Sequence, residues 1–439
     1  MGQSKAKVIT GLNFAVMGAG CAARGQVAKG ILLFAAQCSY ICFMVFFGAG
    51  YLAGFRTLGV TEQTAAWNES LQINETIKGD NSMLILLFGI LSLAVTALFI
   101  YLYIVNIRLG FKALQAEREG RRPPTFREDL RSLWNDKYHL VLLTLPAIGL
   151  LAFTVLPQIF MVCMAFTNFD KTHQPPGKLF TWVGFDNFKE IFWSNPRKSQ
   201  TFLRILGWTL TWAVTATATC YFGGIALALL INKKGIRLKK MWRSFFVITI
   251  AVPQFVSLLL IRQFLNDNGT LNILLQNWGL IDQPIMFFRD YARQTVLFVN
   301  FWIGVPYTML ITTGILMNIP ADLYESARMD GAGPFLTFRK ITVPYMFFVT
   351  APYLITQFVG NINNFNVIYL LTGGEPKSLD YYKAGKTDLL ITWLYKQTVD
   401  EQDYKLASTL GIIIFIIIGA FSLLSFNLFA GGGKEENFQ

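Results

Sequence analysis

Residues 81–107 read NSMLILLFGILSLAVTALFIYLYIVNI, a run with no acid, base or proline. A helix needs about 20 consecutive apolar residues to cross a bilayer, and this run exceeds that length. Its apolarity is continuous. A strand of a membrane barrel would alternate apolar and polar positions over about ten residues, so a barrel is excluded. Working outward, similar blocks lie at Gly30–Phe55, Leu140–Phe166, Phe202–Ile231, Ser244–Phe264, Thr295–Ile319, Val343–Leu371 and Leu406–Phe429. Pro146, Pro157, Pro253, Pro306 and Pro352 fall inside these blocks. Each would cost about 3 kcal/mol in a soluble helix, but neighbouring membrane helices can re-satisfy the freed backbone. With 53% hydrophobic and 15% charged residues among 439, the chain is too apolar for a water-soluble protein of this size. The expected fold is an all-α membrane protein, a polytopic bundle of about eight transmembrane helices.

Loop charge gives the orientation, because cytoplasmic loops collect lysine and arginine. The N-terminal tail carries Lys5, Lys7, Arg24 and Lys29, and the connection from Arg108 to Lys137 is rich in arginine. Residues 232–243, NKKGIRLKKMWR, hold six bases and no acid; Arg328, Arg339 and Lys340 follow the sixth block. The alternate loops (56–80, 170–200, 266–293 and 373–405) are less basic for their length. Both termini are expected in the cytoplasm. This asymmetry accounts for the net charge of +12 without nucleic acid as a partner. The expected organisation is a tail (1–29), two extra helices (30–107), a basic connection (108–139), a six-helix core (140–429) and a short cytoplasmic tail (430–439).

Several apparent chemical signals have simpler readings. Gly385-Lys386-Thr387 imitates the end of a phosphate-binding loop, but that pattern needs glycine where Asp380 stands. Gly18-Ala-Gly-Cys21 resembles a lipoprotein cleavage site, yet the preceding apolar stretch is short and broken by Asn13, so an interfacial or poorly ordered tail is expected. Asn68-Glu-Ser70 and Asn74-Glu-Thr76 match glycosylation acceptors and read as polar residues of an outer loop. Cys38 and Cys42 share a helix face and read as membrane packing; no disulfide scaffold or metal site is expected from the five cysteines. His139 and His173 have no third partner for a metal. Within the blocks, ionisable residues are almost absent, and Arg204 and Arg262 fall near block ends. That weighs against an ion-coupled carrier or an intramembrane protease, which bury acids or histidines along their paths.

The blocks instead hold neutral polar and aromatic groups: Asn300, Trp302, Tyr307, Gln357, Asn361, Asn363 and Asn364. Amides both donate to and accept from hydroxyls, and aromatic faces stack on the apolar faces of sugars. Such a cluster suits a neutral, hydroxyl-rich ligand; helix–helix hydrogen bonding is the alternative.

Residues 320–344, PADLYESARMDGAGPFLTFRKITVP, differ from every other connection. Pro320 suits the start of a short helix, Asp330-Gly331-Ala-Gly333 breaks it, and Pro334 can begin the next. The result would be a helix lying on the cytoplasmic membrane surface, free to dock into a groove on a soluble partner. Glu325-Ser326-Ala327, Asp330-Gly331 and Ile341-Thr-Val-Pro344 resemble the EAA loop of binding-protein-dependent ABC importer permeases, with Ser326 and Val343 replacing the commoner Ala and Leu. The resemblance runs from about Leu140 to Phe429. A closer likeness is to the maltose/maltodextrin permease subunits of the MalF type. It is carried by residues 300–307, 322–335, 361–365 and 384–390 and by the two extra N-terminal helices.

That resemblance implies a sugar held midway across the membrane by Asn300, Ile303, Gly304, Tyr307, Asn361 and Asn364. Gln357 and Gly360 occupy two further contact positions, where the enteric pattern has serine and phenylalanine. It also implies a second homologous permease, two ATP-binding cassette subunits that use ATP and magnesium, and an extracellular sugar-binding protein. The chain itself would bind no cofactor, catalyse no reaction and lie in the bacterial cell membrane. The short outer loop 170–200 fits the Gram-positive version of the system. A galacto-oligosaccharide permease and a non-transporting scaffold or receptor are the alternatives.

Overall fold

The computed structural model of the chain describes residues 11–69, 72–233 and 235–430. Lys5, Lys7, Ser70, Lys234 and residues 431–439 lie outside the described residues. The chain divides into two compact units, 1–184 and 185–439.

In the first unit, α1 (Val27–Phe55) and α2 (Ser82–Arg118) are long enough to cross a membrane, as is α4 (Tyr138–Met164). Asn81 caps α2, its side chain accepting from the backbone N–H of Met83 and Leu84 at 3.1 and 3.2 Å, which satisfies donors that have no partner within the helix. The first two spans pack through aromatic and small residues. Tyr40 stacks on Phe99 with centroids 3.9 Å apart, and Gly89 leaves room for the Phe55 ring. Between them, β1 (Thr64–Asn68) and β2 (Ile73–Ile77) form an antiparallel hairpin with Trp67 opposite Asn74. The amphipathic α3 (Phe126–Asn135) starts on a capping box made by Thr125 and Glu128.

The segment before α1 is folded rather than poorly ordered, which sets aside one of the two states expected of it. Residues 11–25 fold against α2, with Met17 and Cys21 buried. Asn13, which interrupts the apolar stretch in the sequence, is the reason. Its amide donates to the Asn106 carbonyl oxygen at 3.0 Å, and the Asn106 amide donates back to the Asn13 carbonyl oxygen at 3.0 Å. Asn106 also accepts from the Gly18 N–H at 2.8 Å. Two buried amides satisfying each other hold the segment where hydrophobicity alone would not. An ion pair of Arg24 with Glu117 at 2.9 Å closes its far end.

The second unit contains α5 (Pro196–Asn232), α6 (Lys239–Ala251), α7 (Gln254–Phe264), α8 (Thr270–Asn277), α9 (Ala292–Leu316), α10 (Ala321–Met329), α11 (Val343–Ile362), α12 (Phe365–Leu371), α13 (Leu390–Val399) and α14 (Tyr404–Ala430). Among the described residues, the whole chain has seven helices that qualify as spans, or eight if a bent pair counts as one. That pair is α6 and α7. The expected span Ser244–Phe264, which contains Pro253, is bent by 93° between them. Pro253 stands at the bend, lacking an N–H to donate and clashing with a continued helical path. The seventh block is likewise interrupted at Asn363–Asn364, between α11 and α12.

Small residues bring α5 and α9 together. A Cβ on Gly224 would meet the Thr308 side chain at 2.6 Å, and one on Gly223 would meet the Phe301 ring at 2.6 Å. Membrane helices associate through such close approach, because lipid offers no hydrophobic drive to separate them from solvent. The core of the unit gathers Trp212, Leu258, Val299, Ile368 and Leu389, with a second cluster around Phe202, Trp393 and Leu410. Large apolar side chains such as Phe153, Leu203, Phe298 and Phe415 are left exposed on the spans, as suits helices that face lipid or another membrane subunit.

Candidate functional site

The neutral polar residues singled out in the sequence come from three segments of the second unit. Asn300 lies in α9 and is 7% exposed; Asn361 lies at the end of α11 and is 9% exposed. Asn364 caps α12, accepting from the Val367 N–H at 3.3 Å. The interruption between α11 and α12 turns its amide toward the other two. Asn364 Nδ2 donates to Asn300 Oδ1 at 3.5 Å and to Asn361 Oδ1 at 3.3 Å. Three amides separated by up to 64 positions thus form one neutral cluster.

Side chains of α5 complete the surroundings, and these were not singled out in the sequence. Asn361 Nδ2 donates to Thr217 Oγ1 at 3.0 Å, and the Asn361 carbonyl oxygen accepts from Trp212 Nε1 at 3.1 Å. Asn300 Nδ2 lies 3.6 Å from Cys220 Sγ. The only hint in the sequence is the run Thr215-Ala-Thr217-Ala-Thr219-Cys220, small and weakly polar inside an apolar block. Gly304 faces the same helix: a Cβ there would meet Cys220 Sγ at 2.6 Å, so a larger residue would force the Cys220 side chain to move.

Tyr307 is 47% exposed, about two turns further along α9 than Asn300, and its ring lies 6.4 Å from that of Tyr353. The Tyr353 hydroxyl bonds to Thr308 Oγ1 at 3.1 Å. Ile303 packs against the cluster around Trp212. Gln357 is half-buried and Gly360 exposed on α11, with open space where a Gly360 side chain would stand. Trp302 and Asn363 are exposed and join no hydrogen bond of the cluster. The amides hold one another through long contacts, which a ligand hydroxyl could replace with shorter ones. Among the described residues, the side chains that hydrogen-bond within the cluster are all neutral, which suits an uncharged solute.

The loop 320–344 takes the form expected. The helix α10 has no buried residue and presents Glu325, Ser326 and Asp330 to solvent, with Ala327 half-covered. Gly331 has φ +77°, a conformation that L side chains rarely adopt, and its neighbour's N–H closes the helix end through a 2.8 Å bond from Ala332 to the Ala327 carbonyl oxygen. A short turn from Pro334 and a π-helical turn over Phe338–Thr342, which contains Ile341, lead into α11, with Pro344 in its first turn.

Gly385-Lys386-Thr387 serves a structural clasp. The Thr387 hydroxyl is buried between Thr372 Oγ1 at 2.9 Å and the Glu375 carbonyl oxygen at 2.6 Å. Beside it, the fully buried Asp388 accepts from Lys396 Nζ at 2.7 Å, from the Gly385 N–H at 2.7 Å and from Thr392 Oγ1 at 2.9 Å. Burial pushes the Asp388 carboxyl above its ordinary range, with Lys396 opposing the shift. Among the described residues, no group of three or more metal-ligating side chains is assembled.

Residues 221–431 match the family described as binding-protein-dependent transport system inner membrane component. The chain is 33% identical over 444 residues to the maltodextrin transport system permease protein MdxF of Bacillus subtilis (strain 168), covering 99% of this chain and 98% of that protein. It is 35% identical over 385 residues to the galactooligosaccharides transport system permease protein GanP of the same organism, covering 87% and 90%. A solved bacterial ABC transporter involved in the import of the acidic polysaccharide alginate matches 70% of this chain and 99% of its own, with TM-score 0.57 at 23% identity, a likeness of fold. The chain belongs to the family of inner membrane components of binding-protein-dependent transport systems. It is a multi-pass permease subunit of the bacterial plasma membrane.

Proposed function

We propose that this chain is the sugar-holding permease half of an ABC importer for maltodextrin-type oligosaccharides. The observation that carries the reading is the uncharged amide cluster Asn300–Asn361–Asn364 inside the spans, with the exposed ring of Tyr307 about two turns along α9 from Asn300. Amides and a ring match the hydroxyls and apolar faces of a glucose polymer, and the near full-length similarity to a maltodextrin permease supports that choice. Galacto-oligosaccharides are the second reading, favoured by the similarity to a galactooligosaccharide permease.

A sugar-binding protein delivers the oligosaccharide to the outer face, and a second homologous permease completes the pathway. Two ATPase subunits, using ATP and magnesium, drive the pair between outward and inward states. This chain binds no cofactor and hydrolyses nothing. Asn300, Asn361 and Asn364 hydrogen-bond the sugar, Tyr307 stacks on it, Ile303 and Gly304 shape the wall, and Gln357 and Gly360 supply two further contacts from α11. The exposed α10, with Glu325, Ser326, Ala327, Asp330 and Gly331, docks into the ATPase, while Ile341 and Pro344 root the loop in α11.

The test is uptake by the complete complex in liposomes. Tyr307→Ala and Asn361→Ala should each weaken transport by about ten-fold while the subunits still copurify, the loss of one stacking face or of one buried hydrogen-bonding set. Glu325→Ala and Gly331→Val should lower sugar-stimulated ATPase activity together with uptake. Unchanged kinetics in the first pair would reduce those residues to structure, and unchanged stimulation in the second would remove the docking role of the loop.

A further inference from the structure

The helix α10 has no buried residue, and it lies between Pro320 at its start and the left-handed Gly331 just past its end. Tyr324 is one of its two half-buried residues. Its hydroxyl lies 3.1 Å from Thr342 Oγ1. Among the described residues, this is the one side-chain hydrogen bond between α10 and the base of a span. Thr342 is 3% exposed and is the last residue of the π-helical turn Phe338–Thr342. The next residue, Val343, begins α11, whose other end carries Gln357, Gly360 and Asn361.

A cavity of about 860 Å³ borders this contact, lined by Leu229, Leu316, Tyr324, Arg328, Phe338 and Thr342 among others. A push on α10 therefore has two possible outcomes. Without a link, the helix can slide into the cavity and the force is lost. With the hydroxyls joined, the displacement is passed to Thr342 and along the axis of α11. A π-helical turn marks that junction, a rare element that recurs at functional sites.

We propose that the Tyr324–Thr342 hydrogen bond is the latch that couples movement of α10 to the span bearing the sugar site. Tyr324 and Thr342 are positioning residues: they touch neither sugar nor nucleotide. The proposal rests on the importer reading above.

The experiment uses the complete complex with its binding protein in liposomes and measures sugar carried per ATP hydrolysed, with copurification of the ATPase subunits as the assembly check. Tyr324→Phe and Thr342→Val should each lower that ratio by about five-fold, the equivalent of one hydrogen bond. The double variant should fall no further than either single, because both remove the same contact. Thr342→Ser, which keeps the hydroxyl, should stay near the wild-type ratio. Wild-type ratios in both single variants, multiplied losses in the double variant, or a serine variant as poor as valine would overturn the latch. Loss of copurification in Tyr324→Phe would assign the hydroxyl to assembly and overturn it as well. Wild-type transport with unaltered variants removes the latch alone, whereas a wild-type complex that moves no sugar removes the importer reading first and the latch with it.

Discussion

The buried pair of Asp388 and Lys396 holds the clasp that leads from α12 into α13. Asp388 is fully enclosed, while the Lys396 side chain keeps 16% of its surface exposed. Lys396→Met would leave a buried carboxylate without its cation, a loss of about 3 kcal/mol, and the melting temperature of the purified complex should fall by about 5 °C or more. Adding Asp388→Asn should restore most of that, since a neutral amide no longer needs the ammonium; an equal or greater fall in the double variant would show that the charge is not what matters. Single residues were unevenly legible in the sequence. Asn300, Asn361 and Asn364 were visible as amides inside apolar blocks, where every polar group demands a reason. Thr217 and Cys220 were not, because a threonine or cysteine can satisfy itself against its own helix and so sends no signal. Asn13 was visible but misread: it looked like a flaw in an apolar stretch, and its partner Asn106 lies 93 positions away.

At the scale of elements, glycine sets how closely α5 and α9 approach. Gly224→Leu should drive the helices apart and cost about 1–3 kcal/mol or abolish insertion of a folded subunit. Gly207→Ala on the same helix, where a Cβ meets nothing within 4 Å, should leave expression and thermal stability unchanged. Equal behaviour of the two variants in detergent-stability assays would contradict this account of the contact. Span number and the short exposed α10 were readable from apolar block length and from the proline and glycine punctuation of residues 320–344. The 93° bend between α6 and α7 was not, although Pro253 marked its place. Proline inside a membrane block permits either a gentle kink or a full break, and neighbouring helices decide which. The fold of residues 11–25 was equally hidden, because side-chain amides across a long sequence separation hold it.

At the scale of the whole molecule, the central claim is that a permease subunit with a neutral, amide-lined site moves an uncharged oligosaccharide on behalf of ATPases that it does not contain. Among the described residues the apolar blocks carry almost no ionisable group that could couple transport to an ion gradient, so uptake should be indifferent to collapse of the membrane potential and should stop when ATP is withheld. The most direct measurement is uptake of labelled maltodextrin into liposomes carrying the complete complex, with the binding protein outside and ATP inside. Uptake should require both, be suppressed by unlabelled maltodextrin and be suppressed only weakly by galacto-oligosaccharides. Uptake without ATP, or none in the presence of every component, would contradict the central claim.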